Sequence, residues 1–222
     1  MRKKPMLAYP VSDKPIDYTD KVFIQPKLDG VRCLIQCTGD PVTGFYITAY
    51  SRTGKEWLNI DHILEELVPF FAEHPHIILD GELYNHDLKN DFEKIISLVR
   101  KTKPTDEDRL ESKEMVQFHC YDIIEEFLGN NEKTVTNTSF EERMAFIYNN
   151  LEESYCIVNV PTTRVFKHEE ALNVHSDENL KNGYEGSIVR LNTEYQCKRS
   201  HSLRKFKDFH DTEATITGWV EG

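Results

Sequence analysis

The sequence predicts an α+β fold, with mostly antiparallel sheets and flanking helices. Short strand-like runs dominate, they do not alternate strictly with helical patterns as a parallel sheet would require, and no internal repeat organises them. In chain order, "FIQPKLDGVRCLI" (Phe23 to Ile35) reads as strand, tight turn and strand, with Asp29 and Gly30 in the turn and glycine expected to supply a positive φ there. "GFYITAY" follows as a strand. Ile60, Ile63, Leu64, Leu67 and Phe71 recur at helical spacing and predict one helix. After the strand "HIILDGELY" comes a second helical stripe, Phe92, Ile95, Ile96 and Val99, with Asn90 and Glu93 at capping-box spacing. "RKTKPTDEDRLESKE" (Arg100 to Glu114) is charged, holds a proline, and reads as a surface excursion ending in a helical turn. The strand "MVQFHCYDII", the polar turn region "FLGNNEKTVTNTS" and a third helix capped by Ser139 and Glu142 come next. "CIVNVP" and "GSIVRL" are further strands, and "TEATITGWVEG" alternates like the opening strand of another sheet.

The 222 residues suffice for one large domain or two small ones, with 39% hydrophobic content for a core. No apolar run approaches the roughly 18 residues of a membrane span and no basic-then-apolar leader is present, so a cytoplasmic protein without membrane contact is expected. Five cysteines at 33, 37, 120, 156 and 197 include no CxxC pair, which argues against a disulfide framework and a zinc ribbon. A net charge of −11 does not suggest a polyanion-binding protein as a whole. Distribution does: "QCKRSHSLRKFK" carries Lys198, Arg199, Arg204, Lys205 and Lys207 with no acid among them.

Several polar islands stand out. Lys27, pinned between Pro26 and the Asp29-Gly30 turn, is either a solvated hairpin lysine or one held for chemistry. Arg32 lies five residues on, and "SRTGK" presents Arg52 in a turn. Glu82 in "LDGELY" is a carboxylate in an apolar strand, where it needs a partner or a metal. "FHCYDII" holds Tyr121 and Asp122, and "YEGSIVR" holds Glu185 and Arg190. Lys205 and Lys207, two apart, share one face of a strand.

Each island alone is a weak signal, but the ordered series KxDGxR, SRTGK, DGE, an aromatic-Asp strand, EGxxxR and KxK resembles the covalent nucleotidyltransferases: ATP-dependent DNA ligases, RNA ligases and mRNA capping enzymes. The details "QPKLDGVR", "LDGELYNH", "GYEGSIVR" and "KFKDFHDTEATI" are most similar to the small ATP-dependent DNA ligases of bacteriophages and other viruses. The resemblance covers essentially the whole chain and implies a nucleotidyltransferase, ATP-grasp-like ligase adenylation domain at 1–210, with 211–222 opening a downstream OB-fold domain.

By that resemblance Lys27 is the nucleophile that takes AMP from ATP, and Lys205 and Lys207 neutralise the α-phosphate. Tyr121 stacks on adenine, Gln25 reads its edge, and Glu82 binds the ribose or a metal. Glu185 and Asp29 are the further Mg²⁺ carboxylates. Arg32 and Arg52 contact nucleotide or DNA phosphate, and Arg199 grips phosphate. The implied partners are ATP, Mg²⁺ and nicked double-stranded DNA, the implied state a monomer, and the implied roles DNA replication, repair and recombination. An RNA ligase, a GTP-using capping guanylyltransferase and a non-catalytic nucleic-acid-binding module are the alternatives. With only 26 residues before Lys27, NAD⁺ is not the expected donor. Without the downstream domain, self-adenylylation is expected to be slow and nick sealing poor.

Overall fold

The computed structural model describes residues 3–40, 44–89, 91–129, 132–135, 137–166 and 169–206. Lys207 and the stretch 211–222, read above as the start of another domain, lie outside them.

Two sheets carry the fold. The first joins β1 (Leu7–Pro10), β2 (Val22–Lys27), β9 (Thr163–Val165), β10 (Gly186–Leu191) and β11 (Arg199–Phe206) in the order β1-β11-β10-β2-β9. The second joins β3 (Val31–Asp40), β4 (Gly44–Tyr50), β5 (Ile77–Tyr84), β6 (Gln117–Gly129) and β7 (Glu132–Val135) in the order β4-β3-β5-β6-β7, with β8 (Ile157–Asn159) beside β6. Pairing is antiparallel except for β1 on β11 and β8 on β6. The expected α+β class, mostly antiparallel, is the one observed.

Helices cover the outer faces: α1 (Asp61–Glu66), α2 (Val68–Glu73), α3 (Phe92–Val99), α4 (Asp106–Met115), α5 (Phe140–Asn150) and α6 (Glu169–Lys181). Successive strand residues point to opposite faces, and the second sheet uses both. Cys33 and Ile35, Ile77 and Leu79, and Ile123 join the large core shared with α1–α5, while Leu34, Ile78 and Ile124 join a smaller cluster with Met6, just before β1, and Leu203 of β11. Burial on both faces explains why these strands read as continuous apolar runs. On the far side, α6 packs Leu172 against Val22, Ile24 and Val189.

The structure corrects several local expectations. The helix expected over Ile60 to Phe71 is two helices, because Pro69 sits in the first turn of α2 and has no N–H to continue α1. The N-cap of α3 is Asp91, whose side chain makes no capping bond; Asn90 lies outside the described residues. Within the charged excursion, α4 is a ten-residue helix opened by a Thr105–Asp108 capping box. The Ser139–Glu142 box is present as expected. Gly30 is not among the positive-φ glycines. Its requirement is room: an added Cβ would stand 2.5 Å from the Leu83 carbonyl oxygen and 2.6 Å from Glu82 Cγ.

Where the two sheets meet, two aspartates face each other. Asp80 of β5 pairs with Asp122 of β6, and the next pair is Gly81 with Cys120, so the register skips Tyr121 and leaves it in a β-bulge. Both carboxylates are fully buried. Like charges directly opposed on a ladder repel, and three arginines compensate them. Arg32 is bidentate to Asp80 at 2.6 and 2.5 Å, and Tyr195 Oη donates to Asp80 at 2.6 Å. Arg143 of α5 donates to both oxygens of Asp122, at 2.6 and 3.1 Å, and Arg190 of β10 donates at 2.6 Å. Burial alone would raise the Asp122 pKa, but Arg143 and Arg190 outweigh it and hold the carboxyl below its usual 3.8.

Asp122→Ala strands two buried guanidinium groups and should lower stability by about 3–5 kcal/mol in urea unfolding. A loss below about 1 kcal/mol, the size of a surface pair, would contradict this. Because the folded pKa is depressed, the contribution of Asp122 is present above pH 3.8 and lost as pH falls through the lower folded value.

Candidate active site

The inward faces of the two sheets enclose a cavity of about 300 Å³. Strand parity decides what enters it. On β2, Gln25 and Lys27 share the face that looks toward the second sheet; on β10, Ile188 and Arg190 do; on β11, Leu203 and Lys205 do, and all six line the cavity. Ile188 pairs with Gln25 on one side and with Lys205 on the other, so the three form one row across the sheet. The second sheet contributes Arg32, Glu82 and Tyr121, and Arg52 and Arg199 stand at the margin.

Lys27 ends β2. Its Nζ donates to Glu185 Oε2, and the Glu185 N–H donates to the Lys27 carbonyl at 3.2 Å, so nucleophile candidate and carboxylate are held through both side chain and backbone. Each side chain keeps about a fifth of its surface exposed, 20% and 23%, so the pair is reachable from solvent. Asp29 is exposed in the following turn, near enough to act on the Glu82 carboxyl.

Tyr121 Oη donates to Glu82 Oε2 at 3.0 Å, tying the aromatic ring to the carboxylate. The guanidinium carbons of Arg32 and Arg190 lie 5.1 and 5.4 Å from the ring centroid, within cation–π range. Burial pushes the Glu82 carboxyl up to about 7, against the opposing pull of Arg32 and of the Tyr121 hydrogen bond. Burial likewise raises the Tyr121 phenol well above 10.

Gln25 and Arg32 line the cavity and are also hydrogen-bonded within the protein. Gln25 is buried with both ends of its amide in use: Nε2 donates to the Tyr121 carbonyl at 3.1 Å and to Thr162 Oγ1 at 2.8 Å, and Oε1 accepts from Arg190 at 2.6 Å. In this structure it braces Arg190 and the Tyr121 bulge instead of presenting a free amide. Arg32 spends its Nε and Nη2 on Asp80 and on the Met6 carbonyl. Arg52 and Lys205, by contrast, have no hydrogen-bonding or ionic partner among the described side chains. Arg199 donates to the Ala8 carbonyl and lies 5.5 Å from the Tyr9 ring centroid.

The cavity thus brings together Gln25, Lys27, Arg32, Arg52, Glu82, Tyr121, Arg199 and Lys205. Glu185 touches it through Lys27, Asp29 stands outside its lining, and Lys207 lies beyond the described residues. Sequence reasoning missed the supporting acid Asp80, although the signal was the one that flagged Glu82, a carboxylate in an apolar strand. It also missed Arg143, which looks in sequence like any arginine on a surface helix.

Residues 5–207 match the family model described as ATP dependent DNA ligase domain. The chain belongs to that family. The DNA ligase of African swine fever virus (isolate Pig/Kenya/KEN-50/1950) is 27% identical over 212 residues, covering 93% of this chain and 46% of that protein. The DNA ligase of Enterobacteria phage T4 is 37% identical over 89 residues, 37% of this chain and 18% of that protein. The chain therefore spans about half the length of the African swine fever virus ligase it matches. Among solved structures, a Chlorella virus DNA ligase-adenylate shares the fold with a TM-score of 0.63 at 19% identity, over 92% of this chain and 67% of that one.

No three histidine, cysteine or acidic side chains converge as a metal cage among the described residues. Mg²⁺ does not need one, since it usually takes one or two carboxylates, several waters and substrate phosphates. Glu185, Asp29 and Glu82 are hard oxygen donors of that kind.

A carboxyl whose pKa is raised by folding makes the fold take up a proton. The Glu82 contribution to stability is therefore full below 4.5 and lost as pH rises through about 7. Thermal melts of the nucleotide-free protein across that window should show a decline that Glu82→Gln flattens; parallel curves would contradict the assignment.

Proposed function

We propose that this chain is the nucleotidyl-transferring part of an ATP-dependent DNA ligase, in which Lys27 carries AMP. The observation that carries the reading is Lys27 itself: a lysine fixed at a strand end, in contact with Glu185, opening on a cavity that also holds Tyr121, Glu82, Arg52 and Lys205, the last two without an ionic partner among the described residues. Family membership supports it, and the chemistry agrees.

The adenine would lie against Tyr121, and Glu82 would accept from a ribose hydroxyl. A carboxylate in contact favours the ammonium form of Lys27, which cannot attack. The amine becomes a nucleophile once it has lost a proton to solvent, which reaches the pair, and Glu185 has turned to other positive charge. Glu185, with Asp29 and Glu82, would hold Mg²⁺, which when bound supplies positive charge to the phosphate oxygens. Lys27 Nζ then forms a bond to the α-phosphorus as the bond to pyrophosphate breaks, the pyrophosphate leaving with the electron pair. Lys205, and Lys207 beyond the described residues, would neutralise the α-phosphate as charge shifts. In the second step an oxygen of the DNA 5′-phosphate displaces Lys27, which recovers a proton. In the third the neighbouring 3′-hydroxyl, losing its proton to water, forms a bond to the 5′-phosphorus as the bond to AMP breaks, AMP leaving with the electron pair, and the nick is sealed. Each step is a displacement at phosphorus, so the work of the site is placement of charge and of reacting atoms.

Intact-mass spectrometry after incubation with Mg²⁺ and either ATP or GTP tests the reading. The expected result is a gain of one AMP from ATP alone, absent in Lys27→Ala. A GMP adduct would instead assign a capping guanylyltransferase. An RNA ligase would be recognised by sealing nicked RNA in preference to nicked DNA. No adduct, together with no sealing of pre-adenylylated nicked DNA, would leave a binding module.

A further inference from the structure

Glu185, the partner of Lys27, sits in the connection between α6 and β10, and that connection is gripped from the opposite sheet. Helix α6 ends in a Schellman turn: the Gly183 N–H donates to the Leu180 carbonyl at 2.9 Å and the Tyr184 N–H to the Asn179 carbonyl at 3.0 Å, with Gly183 at a φ of +85°. The chain thus has one defined path from the helix into Glu185. On the second sheet, β5 runs on through Asn85 into a single 3-10 turn, His86–Leu88. The Asn85 side chain fixes that turn, accepting from the Asp87 N–H at 3.0 Å and donating to the Met115 carbonyl at 2.9 Å.

Two side chains reach across from this turn. The His86 ring lies against the Tyr184 ring, with centroids 4.5 Å apart and planes inclined by 36°, and His86 Nδ1 is 2.8 Å from Tyr84 Oη at the end of β5. Tyr84 is buried, and it packs with Leu28, the residue after Lys27, in a small cluster that Tyr184 joins. Lys89, which follows the turn, donates from Nζ to the Asn182 carbonyl at 3.3 Å, at the helix end where a cation is favoured. The fit there is close, since a Cβ added to Gly183 would stand 2.6 Å from Lys89 Nζ. Neither His86 nor Lys89 lines the cavity. Both act on the three residues that precede Glu185.

We propose that His86 and Lys89 are positioning residues for the attack by Lys27: they clamp the α6–β10 connection, so that the Glu185 side chain can turn while its backbone stays bonded to the Lys27 carbonyl. The proposal rests on the ligase reading for the reaction itself. A carboxylate that first holds the ammonium and then turns away needs a backbone that does not move with it, because a displacement of about 1 Å at the reacting groups can cost roughly 100-fold in rate. The clamp also gives the two sheets a second tie, at the Lys27 end of β2, besides the one made by Asp122 and Arg190. It gives a role to the histidine that ends "LDGELYNH".

The test compares His86→Ala, His86→Phe and Lys89→Ala in the full chain, each with a thermal melt to show that it folds. The rate of AMP adduct formation is followed by intact mass over a range of ATP concentration, and amide hydrogen exchange is followed over residues 182–186 in the nucleotide-free protein. His86→Ala is expected to lower the maximal rate about tenfold, to leave the half-saturating ATP concentration within about twofold, and to speed exchange over that segment. His86→Phe keeps a ring against Tyr184 and should recover most of the rate. Wild-type rate and exchange in His86→Ala would overturn the proposal. So would an equal loss in His86→Phe, or a raised half-saturating ATP concentration at an unchanged maximal rate. If His86→Ala does not fold, Lys89→Ala, a change at an exposed residue, decides by the same readouts. If the wild type forms no adduct, the ligase reading fails and exchange decides the clamp: faster exchange in His86→Ala but not in His86→Phe leaves it standing, and unchanged exchange removes it.

Discussion

The structure turns on two carboxylates that could not coexist without help. Asp80 and Asp122 are fully buried and directly opposed on neighbouring strands, where mutual repulsion and loss of hydration would each cost several kcal/mol. Their compensation comes from three different parts of the chain: Arg32 on β3, Arg143 on α5 and Arg190 on β10. Because β10 belongs to the other sheet, neutralising Asp122 ties the sheets together at the cleft. An apolar seam of the same volume could be as stable, but it would not place charged side chains at defined positions around a cavity.

The chemistry follows from that tie. Arg190 reaches back to Gln25 on β2, and Gln25 holds the carbonyl of the bulged Tyr121. The bulge leaves Tyr121 out of the ladder between the two aspartates, where its hydroxyl meets Glu82 and its ring lies near Arg32 and Arg190. Two residues beyond Gln25 on the same strand face stands Lys27. A single hydrogen-bonded chain, running Asp122, Arg190, Gln25 and Tyr121, thus relates the proposed nucleotide-stacking ring to the strand that carries the proposed nucleophile.

Much of this was legible in the sequence, for identifiable reasons. The strands β3, β5 and β6 are buried on both faces and so stand out as apolar runs, and the polar residues interrupting them, Glu82, Tyr121 and Asp122, mark the site by being out of place. Helix α6 was not legible, because it buries only Leu172 and Ser176 and has no apolar stripe. The break at Leu67 and the role of Gly30 depend on one missing N–H and on the closeness of a neighbouring strand, and periodicity reports neither. The bulge at Tyr121 is a property of register between two strands, and the full engagement of Gln25 appears only when Thr162 and Arg190 are brought beside it.

Two lysines with access to the same cavity, Lys27 and Lys205, can be told apart experimentally. Tandem mass spectrometry of the digested protein, after reaction with ATP and Mg²⁺ and under conditions that keep the acid-labile phosphorus–nitrogen bond, would locate the nucleotide. Attachment to Lys27 alone is the predicted result, since only Lys27 combines the strand-end position with the Glu185 contact. AMP on Lys205, or scattered over surface lysines, would contradict it.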